Sequence, residues 1–64
     1  MPNYTKYAAL RDAKGLTDYQ VAKDLHMSTA TLYQWKAGLY TPKLNKISAL
    51  AGYLGVKLEE LLGD

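Results

Sequence analysis

Apolar residues return along this chain three or four positions apart, which is the spacing of helices with one buried face. Val21, Ala22 and Leu25 share one face of a short segment, and Leu32 and Trp35 share one face of the next. Upstream, Tyr7 and Leu10 point inward from a first helix that also carries Tyr4 and Arg11. Downstream, Leu44, Ile47, Leu50, Ala51 and Leu54 trace an apolar stripe, and Leu58, Leu61 and Leu62 in KLEELLGD mark a last short helix. No stretch reads as a strand. The pattern predicts an all-α fold of five short helices, with residues 1–64 as a single domain and without repeats or an interdomain linker.

Start and stop signals sharpen these boundaries. Met1-Pro2 reads as a loose start, Asn3 as the cap of the first helix, and Lys14-Gly15 as its end. Leu16 is expected to pack back on the core. Thr17 and Ser28 each stand where a hydroxyl can accept from a free amide in a helix's first turn, and Gly38 closes the helix that Ser28 opens. Thr41-Pro42 predicts the start of the fourth helix, Gly55-Val56 breaks it, and Lys57 opens the last one without a good cap. Leu39 and Tyr40 form the loop between. Two short helices joined by a tight turn, as over residues 17–38, make a helix-turn-helix. Its corner falls on His26, in a left-handed conformation that costs a non-glycine residue roughly 1 kcal/mol.

Composition narrows the class. At 64 residues, with 48% hydrophobic and 22% charged, the chain is long enough for one marginally sufficient core and is neither disordered nor membranous. The absence of cysteine, of a secretory-type apolar start and of any membrane-length apolar run predicts a cytoplasmic location without disulfides. A net charge of +2 and a pI near 8.9 permit a polyanionic partner without requiring one. One histidine without cysteine lacks companions for a metal, and Glu59-Glu60 reads as solvated charge. No metal, cofactor, small-molecule substrate or enzymatic activity is therefore expected. The six tyrosines replace phenylalanine entirely. Tyr4, Tyr7, Tyr19 and Tyr53 are expected at the core margin, rings buried and hydroxyls at the surface.

The segment LRDAKGLTDYQVAKDLHMSTATLYQWKAGLYTPKL followed by ISALAGYLGVKLEELL resembles the Xre/Cro-type, lambda-repressor-like family of DNA-binding domains. The shared features are the leading Leu-Arg, Lys-Gly-Leu-Thr, Val-Ala before the turn, the Ser-opened helix with Leu32 and Trp35, Gly38, Pro42, and Leu-Gly-Val before Leu-Glu-Glu-Leu-Leu. The resemblance implies a transcriptional regulator, of phage or prophage repressor type, whose third helix lies in the major groove of double-stranded DNA. Carried onto this chain, base reading falls to Thr29, Ala30, Tyr33 and Gln34. Phosphate contacts fall to Thr17, Ser28, Thr31, Lys36, Tyr40 and Lys43, with Lys46 adding screened attraction. It also implies a palindromic operator and a weak homodimer, for which Val56, Leu58, Leu61 and Leu62 offer apolar surface.

Three positions depart from the family pattern. Asp18 stands where many members carry a phosphate-contacting glutamine, and a carboxylate there is expected to face away from DNA. Lys36 stands where many carry a glutamate paired with the residue at Arg11, so Arg11 must find another acceptor, a carbonyl, Asp12 or Asp18. His26 replaces the turn glycine. The low net charge, Asp18 and a third helix without arginine leave a rival reading, a protein-interaction module of antitoxin or anti-repressor type on the same fold.

Overall fold

A computed structural model describes residues 1–63. The chain runs through α1 (Tyr4–Ala13), α2 (Asp18–Asp24), α3 (Thr29–Lys36) and α4 (Leu44–Leu54) to a 3₁₀ turn at Leu58–Leu61. The fifth helix is thus a single tight turn, and no strand occurs among the described residues. Three of the expected caps form: the side chains of Asn3, Thr17 and Ser28 accept from the amides of Lys6, Gln20 and Ala30 at 3.1, 3.2 and 3.2 Å. The 3₁₀ turn has half of a capping box, its Lys57 amide donating to the Glu60 carboxylate at 2.9 Å.

The start of α4 differs from expectation. Lys43, not Thr41, is its cap residue and gives no side-chain cap bond, while Pro42 lies outside the helix and is buried. Pro42 and Ile47, both buried, occupy the two positions of a hydrophobic staple, the arrangement that fixes a helix's entry angle by apolar packing. Leu44 consequently leaves the predicted stripe and is 60% exposed. The apolar residue buried ahead of the helix is Pro42 instead.

All four α-helices end by one device. The amide after the left-handed residue bonds back to a carbonyl in the last turn: Leu16 to Arg11, Met27 to Ala22, Leu39 to Gln34 and Val56 to Ala51. Gly15, Gly38 and Gly55 supply the positive φ in three cases, and His26, with φ 56°, in the fourth. His26 therefore holds the helix-turn-helix corner in a conformation that its Cβ resists.

The core gathers Tyr7 from α1, Val21 and Ala22 from α2, Leu32 and Trp35 from α3, the α4 stripe from Ile47 to Leu54, and Leu61. Leu16 packs against it as expected, and so do Leu10, Leu25 and Met27. The chain start is not loose. Pro2 forms an antiparallel bridge with Leu62, the Asn3 amide donates to the Leu61 carbonyl at 2.8 Å, and the Lys6 ammonium donates to the Leu62 carbonyl at 2.7 Å.

Candidate functional site

The helix that the sequence marks for recognition is fixed from behind by aromatic rings. Trp35, on the inner face of α3, meets Tyr4 edge-on at a centroid distance of 5.3 Å and Tyr7 at the same distance, and the two tyrosines are 5.4 Å apart. Such contacts add to simple area burial and lock the rotation of α3 against α1. Arg11 covers the cluster, its guanidinium 5.6 Å from the centre of the Tyr7 ring.

Asp18, the first residue of α2, joins this cluster to the start of the helix-turn-helix. Its carboxylate accepts from Tyr4 Oη at 2.6 Å, Tyr7 Oη at 2.9 Å and Arg11 Nη1 at 2.6 Å. Arg11 also donates to Asp12 at 2.8 Å and to the Tyr4 hydroxyl at 2.9 Å. Of the acceptors open to Arg11 in the sequence, both carboxylates are used. Burial alone would raise the Asp18 pKa, but the hydrogen bonds from Tyr4, Arg11 and Tyr7 outweigh it, and the group titrates below the ordinary carboxylate range. Burial and the bond to Asp18 push the Tyr7 hydroxyl well above its usual value. Burial opposes the charge on Arg11, yet its bonds to Asp12, Asp18 and Tyr4 leave it more firmly protonated than usual.

Two expectations for tyrosine are corrected here. Tyr7 is wholly buried, hydroxyl included, because Asp18 and Arg11 give the oxygen partners inside the fold; the Tyr4 hydroxyl is held likewise. Tyr19 is not core margin at all: it is 66% exposed on α2, although it stands only three positions before the buried Ala22. Tyr53 does sit half-buried with its hydroxyl outside, where it donates to Asp24.

The outer side of α3 is the contrast. Ala30, Tyr33 and Gln34 are exposed and Thr29 is half-buried; Tyr33 is 63% exposed. Around them stand Thr17 and Ser28, both exposed caps, with Thr31 half-buried and Lys36, Tyr40, Lys43 and Lys46 exposed. The two salt bridges among the described residues both belong to Arg11, so none of these lysines is paired with a carboxylate. Beside α3 opens a surface cavity of about 340 Å³ whose lining includes Arg11, Thr17, Tyr19, Tyr33 and Lys36. Of the candidates, the structure brings Thr17 from the α2 start and Tyr33 and Lys36 from α3 to this one cavity.

The four candidate dimer residues do not stay together. Leu61 has no exposed surface and belongs to the core, because the 3₁₀ turn drives it between α1 and α4; it is withdrawn as an interface residue. Val56, Leu58 and Leu62 remain half-buried.

No helix among the described residues is long and apolar enough to cross a membrane. No solved structure matches this chain. It is similar to the HTH-type transcriptional activator BcrR of Enterococcus faecalis, with 30% identity over 57 residues, which are 89% of this chain and 28% of that protein. The chain therefore spans well under half of that relative's length. The family model described as helix-turn-helix matches residues 8–61, from the middle of α1 to the last residue of the 3₁₀ turn. That match takes in α2, α3, the corner at His26 and the core that supports them, and the chain belongs to the helix-turn-helix family of Xre/Cro type.

Proposed function

We propose that this protein is a DNA-binding transcription regulator that lays α3 in the major groove and reads base edges with Thr29, Ala30, Tyr33 and Gln34. The observation that carries the reading is the outer face of α3. It holds exposed side chains able to bond base edges, on a helix whose rotation is fixed from behind by Trp35. Gln34 suits the bidentate pair with adenine, Thr29 can bond several bases, and Ala30 can meet a thymine methyl. Thr17, Ser28, Thr31, Lys36, Tyr40 and Lys43 supply phosphate contacts on either side. Family membership and the similarity to a protein named as a transcriptional activator support the same reading.

In its finer form the protein is a repressor of phage or prophage type, acting as a weak dimer on a palindrome. The dimer is formed through Val56, Leu58 and Leu62, with DNA completing assembly by holding two copies close. Selection from random duplexes at low salt tests the whole reading. The expected result is a palindromic consensus bound more tightly than scrambled DNA, with log affinity falling against log salt at a slope of roughly −3 to −6 per dimer. A slope of zero, with no enriched sequence, rejects it. A promoter–reporter assay with the selected site then decides between repression and activation.

A further inference from the structure

The six tyrosines divide into two sets by what their hydroxyls do. Those of Tyr4 and Tyr7 donate to Asp18 and that of Tyr53 donates to Asp24, so each has an internal carboxylate. Those of Tyr19, Tyr33 and Tyr40 bond to nothing among the described residues, and these three are the exposed ones, at 66%, 63% and 41%. All three lie on the helix-turn-helix or the loop that leaves it: α2, α3 and the segment after Gly38. Tyr33 and Tyr40 were already marked for DNA by the sequence; Tyr19 was not.

Tyr19 also shares a cavity wall with Tyr33, Lys36 and Thr17. The carboxylates at that cavity, Asp12 and Asp18, are both bonded to Arg11, whose one positive charge offsets one of their two. The Lys36 ammonium is the cation left over. The hydroxyls of Tyr19, Tyr33 and Thr17 can each donate and Lys36 is paired with no carboxylate, and an oxygen-rich anion is a partner that such a set of donors can hold.

We infer that Tyr19 is a further DNA contact, its hydroxyl donating to a backbone phosphate seated in the notch it forms with Tyr33 and Lys36. The inference rests on the DNA-binding reading above and extends it to the outer side of α2. A phosphate held there adds a backbone contact from α2 to those assigned to the helix starts and to the loop of Tyr40 and Lys43. Tyr19 then acts as a positioning residue. It sets how the reading helix lies in the groove and carries no sequence information of its own.

The test is a binding titration by fluorescence anisotropy at several salt concentrations, on the duplex enriched by selection and on a scrambled duplex. Tyr19→Phe removes only the hydroxyl from an exposed ring, so its melting midpoint should equal the parent's. It should weaken both duplexes by the same factor, roughly three- to tenfold, which is the loss of one hydrogen bond to a charged acceptor. Its salt slope should be unchanged, because a neutral hydroxyl displaces no counterion, whereas Lys36→Ala should lower the slope by about 1. Tyr53→Phe, whose hydroxyl is committed to Asp24, should bind as the parent does. If the parent binds DNA and Tyr19→Phe binds it equally well, the Tyr19 contact is refuted while the DNA reading stands. A loss confined to the enriched duplex overturns the phosphate assignment in favour of a base contact. A parent that binds neither duplex refutes both.

Discussion

Tyrosine hydroxyls and charged groups stand near both faces of α3 and are finished in opposite ways. On the inner face, Trp35 packs on Tyr4 and Tyr7, and both of those hydroxyls, the Arg11 guanidinium and the Asp18 carboxylate bond to one another; among the described residues no buried side-chain polar atom lacks a partner. On the outer face, the side chains of Tyr33, Gln34 and Lys36 bond to nothing among the described residues. A polar group inside must be paired within the fold, since leaving it bare costs about 1–3 kcal/mol, while one outside is held by water until something replaces it. Tyrosine therefore stabilises the fold where a carboxylate is within reach and is free for a partner where none is.

The most severe way to test that division is to empty the inner face. Trp35→Ala should cost roughly 3 to 5 kcal/mol, close to the whole stability of a domain this small, and the far-UV helical signal should be largely lost at room temperature. A cooperative melt near the parent's would show that α3 does not depend on this ring. Next in size is Asp18→Ala, which strands two tyrosine hydroxyls and half of the Arg11 charge; a loss of about 3 kcal/mol is expected in urea titration.

Protonation should reach the same network from both sides. The folded Asp18 titrates below its unfolded value, so its contribution is present above the ordinary carboxylate pKa and is lost as pH falls through the depressed one. The folded Tyr7 titrates above its unfolded value, so its contribution is full below the ordinary tyrosine pKa and is lost as pH rises beyond it. Urea midpoints should be level through neutrality and fall at both extremes. Asp18→Ala should flatten the acid arm.

On the outer face the expected effects are smaller and of another kind. Tyr33→Ala and Gln34→Ala should leave the melting midpoint within error but cost on the order of 1 to 3 kcal/mol in binding the enriched duplex, at one or two base positions each. Uniform loss on all sequences would move these residues from reading to positioning. The smallest change lies at the corner joining the faces: His26→Gly relieves the positive φ and should raise stability by roughly 0.5–1 kcal/mol, seen as a melting midpoint a few degrees higher. DNA affinity should not follow it.

Much of the fold could be read from periodicity and punctuation, because Asn3, Thr17, Ser28, Gly15, Gly38 and Gly55 act through their immediate neighbours. Thr41-Pro42 misled because a hydroxyl followed by proline signals a cap only if the chain turns there, and here Pro42 is buried ahead of a helix whose cap residue is Lys43. The last helix shrank to a 3₁₀ turn, and Leu61 went to the core, because the clasp with Pro2 and Asn3 fixes where that segment sits. No local pattern encodes a contact between the two ends of a chain. The same limit applied to Asp18, whose value depends on which of Tyr4, Tyr7 and Arg11 comes within bonding distance. Tyr19 was not legible either: it stands three positions before the buried Ala22, at the edge of the buried face, and its exposure depends on which elements pack over that edge.

The helix endings bear on how quickly this chain reaches its structure. Each α-helix stops through bonds made within one turn of its own end, and outside the helices the backbone bonds between distant residues are those joining 1–3 to 61–63. Little loop-closure entropy stands in the way of such local order, and helical domains of this kind fold in microseconds to milliseconds. The clasp alone must wait until the two ends meet, after the helices between them have packed. Its Asn3 amide is therefore a marker for the final stage of folding, and one that can be timed by pulse-labelling hydrogen exchange.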